Sequence, residues 1–310
     1  MIAILMFGEE IAVLAIALVT VGIAAHQSRR GIRRGRTSAI AIATSVFAIA
    51  GVVTFYGLQL SNPPMQPVGW HYAVALASAA VALALLAVTT RSARPVTAGA
   101  ILNFAAVDLT PRRAWSYGKR WWMATWLVLA LLLLATVVVA GLAAARDDSG
   151  RSAVITIVTG TMTASTDFPG WFYGVPVLIA FALVIASTLF AMSRVTGLLA
   201  RSTDTGYALA SRQVTVRRIM SLSTGSIAFS LGSLWLFIAR SSSLATQFPT
   251  AEGRVDVVTS FAALQIPLSG LGLILCGVGV GMMAASGISK TPRAENEDAR
   301  LEQRRRTNVH

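Results

Sequence analysis

Few side chains in this sequence could support acid–base, nucleophilic or metal chemistry, and their positions argue against all three. The three histidines, His26, His71 and His310, lie at the ends of apolar stretches or in a polar tail. A haem site needs facing ligand pairs, and an intramembrane serine protease needs a histidine beside its serine. The single cysteine, Cys276, lies in an apolar run and has no disulfide partner. We therefore predict no cofactor, no metal site and no enzymatic activity.

Ionisable side chains are nearly absent from the middles of the apolar stretches. Glu9 and Glu10 lie in the first half of the first stretch, and Arg240 lies at the end of the sixth. Proton relays need such groups at mid-membrane depth, so the sequence disfavours a proton-driven pump. An enzyme acting on lipids would need polar groups near one membrane face. The cytoplasmic candidates are Asp108 and Asp204, and we do not favour this hypothesis.

Hydroxyl and small side chains are concentrated in the last two apolar stretches. Four polar residues of these two stretches are candidates for lining a substrate path: Gln265, Ser269, Ser226 and Ser230. The alternative is ordinary helix packing, since small residues such as the Gly277–Gly281 pair allow two helix backbones to approach closely.

Composition and segment length define the elements that must position these residues. Of the 310 residues, 55% are hydrophobic and only 13% are charged, whereas soluble domains carry about 25% charge. A bilayer core about 30 Å thick needs about 20 apolar residues in a helix. Seven stretches meet this requirement: 5–26, 38–60, 70–90, 121–144, 171–193, 219–239 and 258–286. The predicted fold is an all-α polytopic membrane protein, with a seven-helix transmembrane bundle over 1–289 and a polar tail over 290–310.

The first stretch and the basic residues predict the orientation. We expect the first stretch to be a retained helix, because it lacks the basic leading segment of a signal peptide. Of the 26 basic residues, 22 lie in alternate connections or in the tail, and the positive-inside rule then places the N-terminus outside and the C-terminus in the cytoplasm. Because these residues form one cluster per connection, we expect them to contact anionic lipid head groups rather than nucleic acid. Arginine greatly outnumbers lysine, which we take as the mark of a GC-rich genome and a bacterial plasma membrane.

The connections predict three smaller elements. The β-branched run in 145–169, with a turn at Gly160-Thr161, is typical of a short hairpin over the outer face. The cytoplasmic segment 96–107 is too short to cross the bilayer and predicts a surface-lying or re-entrant helix, and we expect 195–213 to form a second such helix. Such helices either pack at the interface or dock into a groove on a cytosolic partner. The residues that we predict to contact such a partner are Leu102, Asp108, Leu198 and Asp204.

Two hairpins of the sequence resemble each other. The pattern Gly-Trp-x-Tyr-x-Val begins at Gly69 and again at Gly170, about 100 residues later and in the same predicted orientation. Parallel internal repeats occur in transporters. The alternative is a shared preference of Trp and Tyr for the membrane interface.

Two functional hypotheses fit these observations. The first is a transport-type permease subunit that relies on a separate cytosolic ATPase, because the sequence has no Gly-rich phosphate-binding loop. The second is a non-transporting membrane module, such as a sensor, an assembly factor or an immunity-type protein, acting through helix contacts or a helix-mediated oligomer. The same lack of charged membrane residues supports both.

Overall fold

The computed structural model describes residues 36–60, 69–89, 120–159, 162–197, 205–242, 245–250, 253–259 and 261–288. This part of the chain is mostly helical, and six of its helices are long and apolar enough to cross a membrane. They coincide with six of the seven predicted spans. The remaining predicted span, 5–26, lies outside the described residues, as do the surface helix predicted over 96–107 and the tail.

The helices are numbered in their order along the chain. Helix α1 covers Arg36–Leu60, and a 3-10 turn over Gly69–Ala73 leads into α2, Val74–Thr89. Helices α3 to α6 cover Arg120–Ala143, Trp171–Gly197, Thr205–Ser242 and Gln265–Ile288.

Helix α5 begins earlier than the hydropathy pattern predicts. Its 38 residues correspond to about 57 Å, nearly twice the thickness of a bilayer core. Residues 205–213 are therefore the first turns of this long helix, and the prediction of a separate surface helix over 195–213 is wrong for them. At the end of this segment Arg212 and Val216, four residues apart on one face of the helix, are both buried.

Two small sheets lie in the chain segments that connect α3 to α4 and α5 to α6. Strands β1, β2 and β3 cover Ala145–Arg146, Ser152–Thr159 and Met162–Asp167 and pair antiparallel in that order. This arrangement confirms the predicted hairpin, because Thr159 pairs with Met162 across residues 160 and 161. Strands β4 and β5, Ala245–Thr250 and Gly253–Val258, form a second hairpin that was not predicted. Residue 258, the predicted start of the last span, ends β5, and α6 begins only at Gln265.

Both hairpins are attached to the end of α5. Ser241 Oγ lies 2.6 Å from the carbonyl oxygen of Asp167, at the end of β3. Thr259 Oγ1, just after β5, donates to the carbonyl oxygen of Ser242 at 2.7 Å. The rings of Phe168 and Phe261 meet edge to face with centroids 5.9 Å apart. The two hairpins therefore form one cap, on the side that the basic residues predict to be outside.

Helix α5 is the centre of the bundle. It contacts each of the other five helices, and residues 218–234 are buried without interruption. A helix that is buried on all sides is typical of the core of a bundle. This burial explains why small residues are so frequent in its sequence, since five neighbours must approach one axis.

A glycine seam joins the antiparallel helices α5 and α6. A Cβ atom added to Gly232 would lie 2.6 Å from the carbonyl oxygen of Gly272, and one added to Gly225 would lie 2.7 Å from that of Gly279. Each helix contributes glycines seven residues apart, which is two turns. Gly277 and Gly281 are also buried, but the backbone approach to α5 is made at Gly272 and Gly279.

Candidate functional site

A row of serine hydroxyls follows one face of α5. Ser223, Ser226, Ser230 and Ser233 are separated by three, four and three residues, which places them on the same side of the helix. All four are buried, and the row is about 15 Å long, half the thickness of a bilayer core. We call it the hydroxyl face. Ser226 and Ser230 were predicted from the sequence to line a path, and both belong to it.

The Ser223 end of the hydroxyl face joins three helices. The indole Nε1–H of Trp126, on α3, donates to Ser223 Oγ at 2.8 Å. The hydroxyl of Thr188, on α4, lies 2.9 Å from Ser223 Oγ and 2.7 Å from the carbonyl oxygen of Val184. Ser223 therefore has hydrogen-bond partners on both neighbouring helices, which holds α3 and α4 against α5.

The middle of the hydroxyl face contains an unpaired hydroxyl. Ser226 Oγ donates to the carbonyl oxygen of Ser223, and Ser233 Oγ donates to that of Ser230, each at 2.9 Å. In the described part of the chain Ser230 Oγ is buried and has no hydrogen-bond partner. Thr224 Oγ1 is also unpaired there, but its position in the helix places it on another side of α5.

An aromatic cluster lies at the other end of the hydroxyl face. Phe237, four residues beyond Ser233, stacks on Tyr72 with centroids 5.2 Å apart and meets Tyr173 edge to face at 5.3 Å. The imidazole of His71 lies 5.6 Å from the ring of Tyr173. Its Nδ1 is buried and has no hydrogen-bond partner among the described residues. Such edge and stacked contacts are the favoured arrangements of aromatic rings.

The two copies of the Gly-Trp-x-Tyr pattern meet in this cluster. A Cβ atom on Gly69 would lie 2.6 Å from the carbonyl oxygen of Phe172, and the rings of Tyr72 and Tyr173 lie 5.8 Å apart. The two patterns thus hold α2 and α4 together. Tyr72 is buried, so at this position the tyrosine belongs to the core of the bundle and not to an aromatic belt at the membrane interface.

The structure does not bring all the predicted path residues together. Gln265 is exposed and Ser269 is half-buried, both near the start of α6. Because Gly272 faces Gly232, Gln265 lies level with Ala239, about 14 Å along α5 from Ser230. The prediction of one continuous path through these four residues is therefore not supported by their placement. The predicted partner contacts Leu102, Asp108, Leu198 and Asp204 lie outside the described residues.

The sequence offered little signal for the rest of the site. Aromatic residues are common in apolar stretches, so the sequence does not single out Tyr72, Tyr173 and Phe237. Only the packing of α2, α4 and α5 brings them together. Thr188 is one hydroxyl in a long apolar run. Its partnership with Ser223 depends on the relative height of two helices, which hydropathy does not specify.

The chemistry available at the hydroxyl face is neutral hydrogen bonding. Between Ser221 and Ala239 the helix has no acidic or basic residue. The described residues contain no group of three His, Cys, Asp or Glu side chains that could hold a metal ion. The arrangement offers hydroxyl donors and acceptors beside aromatic ring faces, which is the usual composition of a site for a small molecule.

The described part of the chain is thus a mostly helical protein with six helices long and apolar enough to cross a membrane and a buried polar face on the central one. No family model, no curated protein and no solved structure matches the chain.

Proposed function

We propose that the protein is the membrane-spanning subunit of a transporter, driven by a separate cytosolic ATPase. The observation that carries this proposal is the hydroxyl face, with the unpaired Ser230 at its middle and the aromatic cluster at its end. A buried hydroxyl without a partner costs about 1–3 kcal/mol, and such a group in a folded protein calls for an explanation. A polar solute that enters the bundle between α2, α4 and α5 would supply the missing hydrogen bond.

The need for a partner follows from the absence of an energy source in the sequence. There is no phosphate-binding loop, and the described spans contain no carboxylate in their middles that could couple transport to protons. Helix α5 is long enough to extend from the core of the bundle beyond the bilayer, on the side predicted to be cytoplasmic. A partner that moves this end of α5 would move the hydroxyl face with it.

The proposal includes the location and orientation of the chain. We place it in a bacterial plasma membrane with the N-terminus outside, on the basis of the basic clusters. A cysteine introduced at Thr163, on β3, should then react with an impermeant thiol reagent added to intact cells. Labelling only after cell lysis would reverse the orientation.

The partner is tested by purification in mild detergent, followed by mass spectrometry. We expect a cytosolic ATPase to accompany the wild-type chain. The variants Leu102→Asp and Leu198→Asp should lose it while still inserting into the membrane, because a charge at a docking helix prevents apolar contact. A conservative control, Leu102→Met, should retain it. Full binding by both aspartate variants would contradict the predicted docking sites.

A second hypothesis, a non-transporting module that acts through helix contacts, is favoured by the one-sided burial of α3. Most of its large apolar residues are exposed: Trp121, Leu127, Val128, Leu131, Leu132, Leu134, Val139 and Leu142. This surface contacts lipid in a lone bundle, or the helix of another membrane protein in an assembly. Recovery of only membrane proteins in the purification would favour this second hypothesis.

A further inference from the structure

We infer that the hydroxyl face binds a small uncharged molecule that bears hydroxyl groups, with Ser230 Oγ as its contact at the middle of the membrane. This inference rests on the proposed transport function and names the class of substrate. Three observations support it: the direction of the unpaired hydroxyl, the absence of charge around it, and the aromatic rings at one end.

The position of Ser230 directs its hydroxyl towards a junction of three helices. It shares a face of α5 with Ser223, which contacts Thr188 of α4, and with Phe237, which contacts Tyr72 and Tyr173. The side between these two points therefore faces α2 and α4. Ser230 is 1% exposed, so in this closed conformation neither bulk water nor lipid pairs its hydroxyl.

The surroundings of Ser230 select against ions. The described spans of α2 and α4 have no charged residue over 69–89 or 171–193, and α5 has none between Ser221 and Ala239. An ion at this depth would lose its hydration, and only neutral hydroxyl groups would replace the water. An uncharged molecule loses less on entry, and its hydroxyl can both donate to and accept from Ser230 Oγ.

The aromatic cluster complements the same kind of ligand. Tyr72, Tyr173 and Phe237 pack their rings against one another and form an apolar surface, and His71 Nδ1 is a second buried polar atom without a partner in the described residues. A polyol combines apolar C–H faces with hydroxyl groups, so it can contact the rings and hydrogen-bond with the imidazole and with Ser230. Ser230 and Phe237, the α5 residue of the aromatic cluster, are seven residues apart, so the two polar contacts are separated by about 10 Å along α5.

Chemical modification of an introduced cysteine tests this inference. In a Cys276→Ala background, Ser230→Cys is nearly isosteric, and its thiol reacts only as a thiolate, which forms only where water reaches it. The probes are methyl methanethiosulfonate, which is uncharged, and its trimethylammonium-ethyl analogue. The transport function on which this inference rests requires the bundle to open between α2, α4 and α5, which admits water to this face. We therefore expect the full-length chain in vesicles to react with the uncharged reagent and at least about tenfold more slowly with the cation.

Two further variants and a protection experiment complete the test. Leu231→Cys lies beside Ser230 in sequence but on another side of α5, is equally buried, and should not react. Ser233→Cys lies on the hydroxyl face and should show the same preference for the uncharged reagent, which keeps the test valid if Ser230→Cys folds poorly. Glycerol should slow the modification of Cys-substituted Ser230 as its concentration rises, whereas KCl of equal osmolality should not.

Three results would overturn the inference: no modification at either position of the hydroxyl face, equal rates with both reagents, or no protection by glycerol. These failures are distinct from failure of the proposed function. If the ATPase co-purifies and the cysteines are inert, only the substrate class and its site are wrong. If the cysteines react selectively and no ATPase is found, the site stands and the mode of energy supply is wrong.

Discussion

The glycine seam makes a sharp prediction about stability. In the variant Gly232→Ala the new Cβ would lie 2.6 Å from the carbonyl oxygen of Gly272 and 2.8 Å from the amide nitrogen of Cys276. The shorter distance is about 0.8 Å less than the 3.4 Å at which ordinary contact begins. Both obstacles are backbone atoms, so no side-chain rotation relieves them, and α5 and α6 must move apart.

The cost of this movement can be estimated. A gap of 0.5–1 Å removes about a quarter to a half of the dispersion energy between facing atoms, and overpacking in a core costs about 1–3 kcal/mol. The better helix propensity of alanine offsets at most about 1 kcal/mol, and less where the unfolded chain stays helical in the membrane. We expect Gly232→Ala to lower the free energy of unfolding by about 1–2 kcal/mol.

The matched control is Gly270→Ala on α6. This glycine is exposed, and a Cβ there would meet nothing within 4 Å, so its substitution should leave stability unchanged or slightly raised. The assay is reversible unfolding in bicelles, measured for both variants under the same conditions. Equal effects of the two substitutions, within about 0.5 kcal/mol, would refute the close backbone contact of α5 and α6.

Three further predictions concern the cap and the hydroxyl face. The backbone N–H of Arg151 donates to the carboxylate of Asp147 at 2.7 Å and lowers the pKa of that carboxyl. The stabilisation from this hydrogen bond is present above the ordinary carboxyl pKa and is lost as the pH falls through the lowered pKa. Amide exchange in β2 should therefore accelerate in acid, and Asp147→Asn should remove this acid dependence. Ser241→Ala removes the hydrogen bond to the carbonyl oxygen of Asp167 and should accelerate amide exchange at the end of β3 about fivefold, equivalent to about 1 kcal/mol. Unchanged exchange would mean that this hydrogen bond does not hold the cap. Ser230→Ala removes an unpaired hydroxyl and should raise the unfolding midpoint in bicelles, by the equivalent of about 1 kcal/mol, whereas a lowered midpoint would show that the hydroxyl has a partner.

Six of the seven predicted spans correspond to described helices, because bilayer thickness sets a length that continuous apolar runs must satisfy. The start of α6 was less predictable, because the alternating segment that ends at Val258 is apolar enough to extend a hydropathy window. Val258 belongs to a strand because it pairs with Ala245, and such pairing depends on a second segment that a hydropathy window does not include. For the same reason the hairpin at residues 152–167 was predictable, since its β-branched residues and turn lie together.

The site was only partly predictable. Ser226 and Ser230 were identified because serines in an apolar helix are conspicuous, and helical spacing places them on one face. Gln265 was grouped with them by its polarity alone, and the antiparallel register set by Gly232 and Gly272 places it far from Ser230. Which glycines form that seam depends on the rotation of two helices about their axes, and many glycines of the last span satisfy the same spacing rule.

The most direct test of the proposed function is native mass spectrometry of the full-length chain, extracted from its own membrane in mild detergent. The proposal predicts a stoichiometric complex with a cytosolic ATPase, and ATP hydrolysis by that complex. The chain alone, or bound only to other membrane proteins, would contradict an ATPase-driven transporter and favour the non-transporting module.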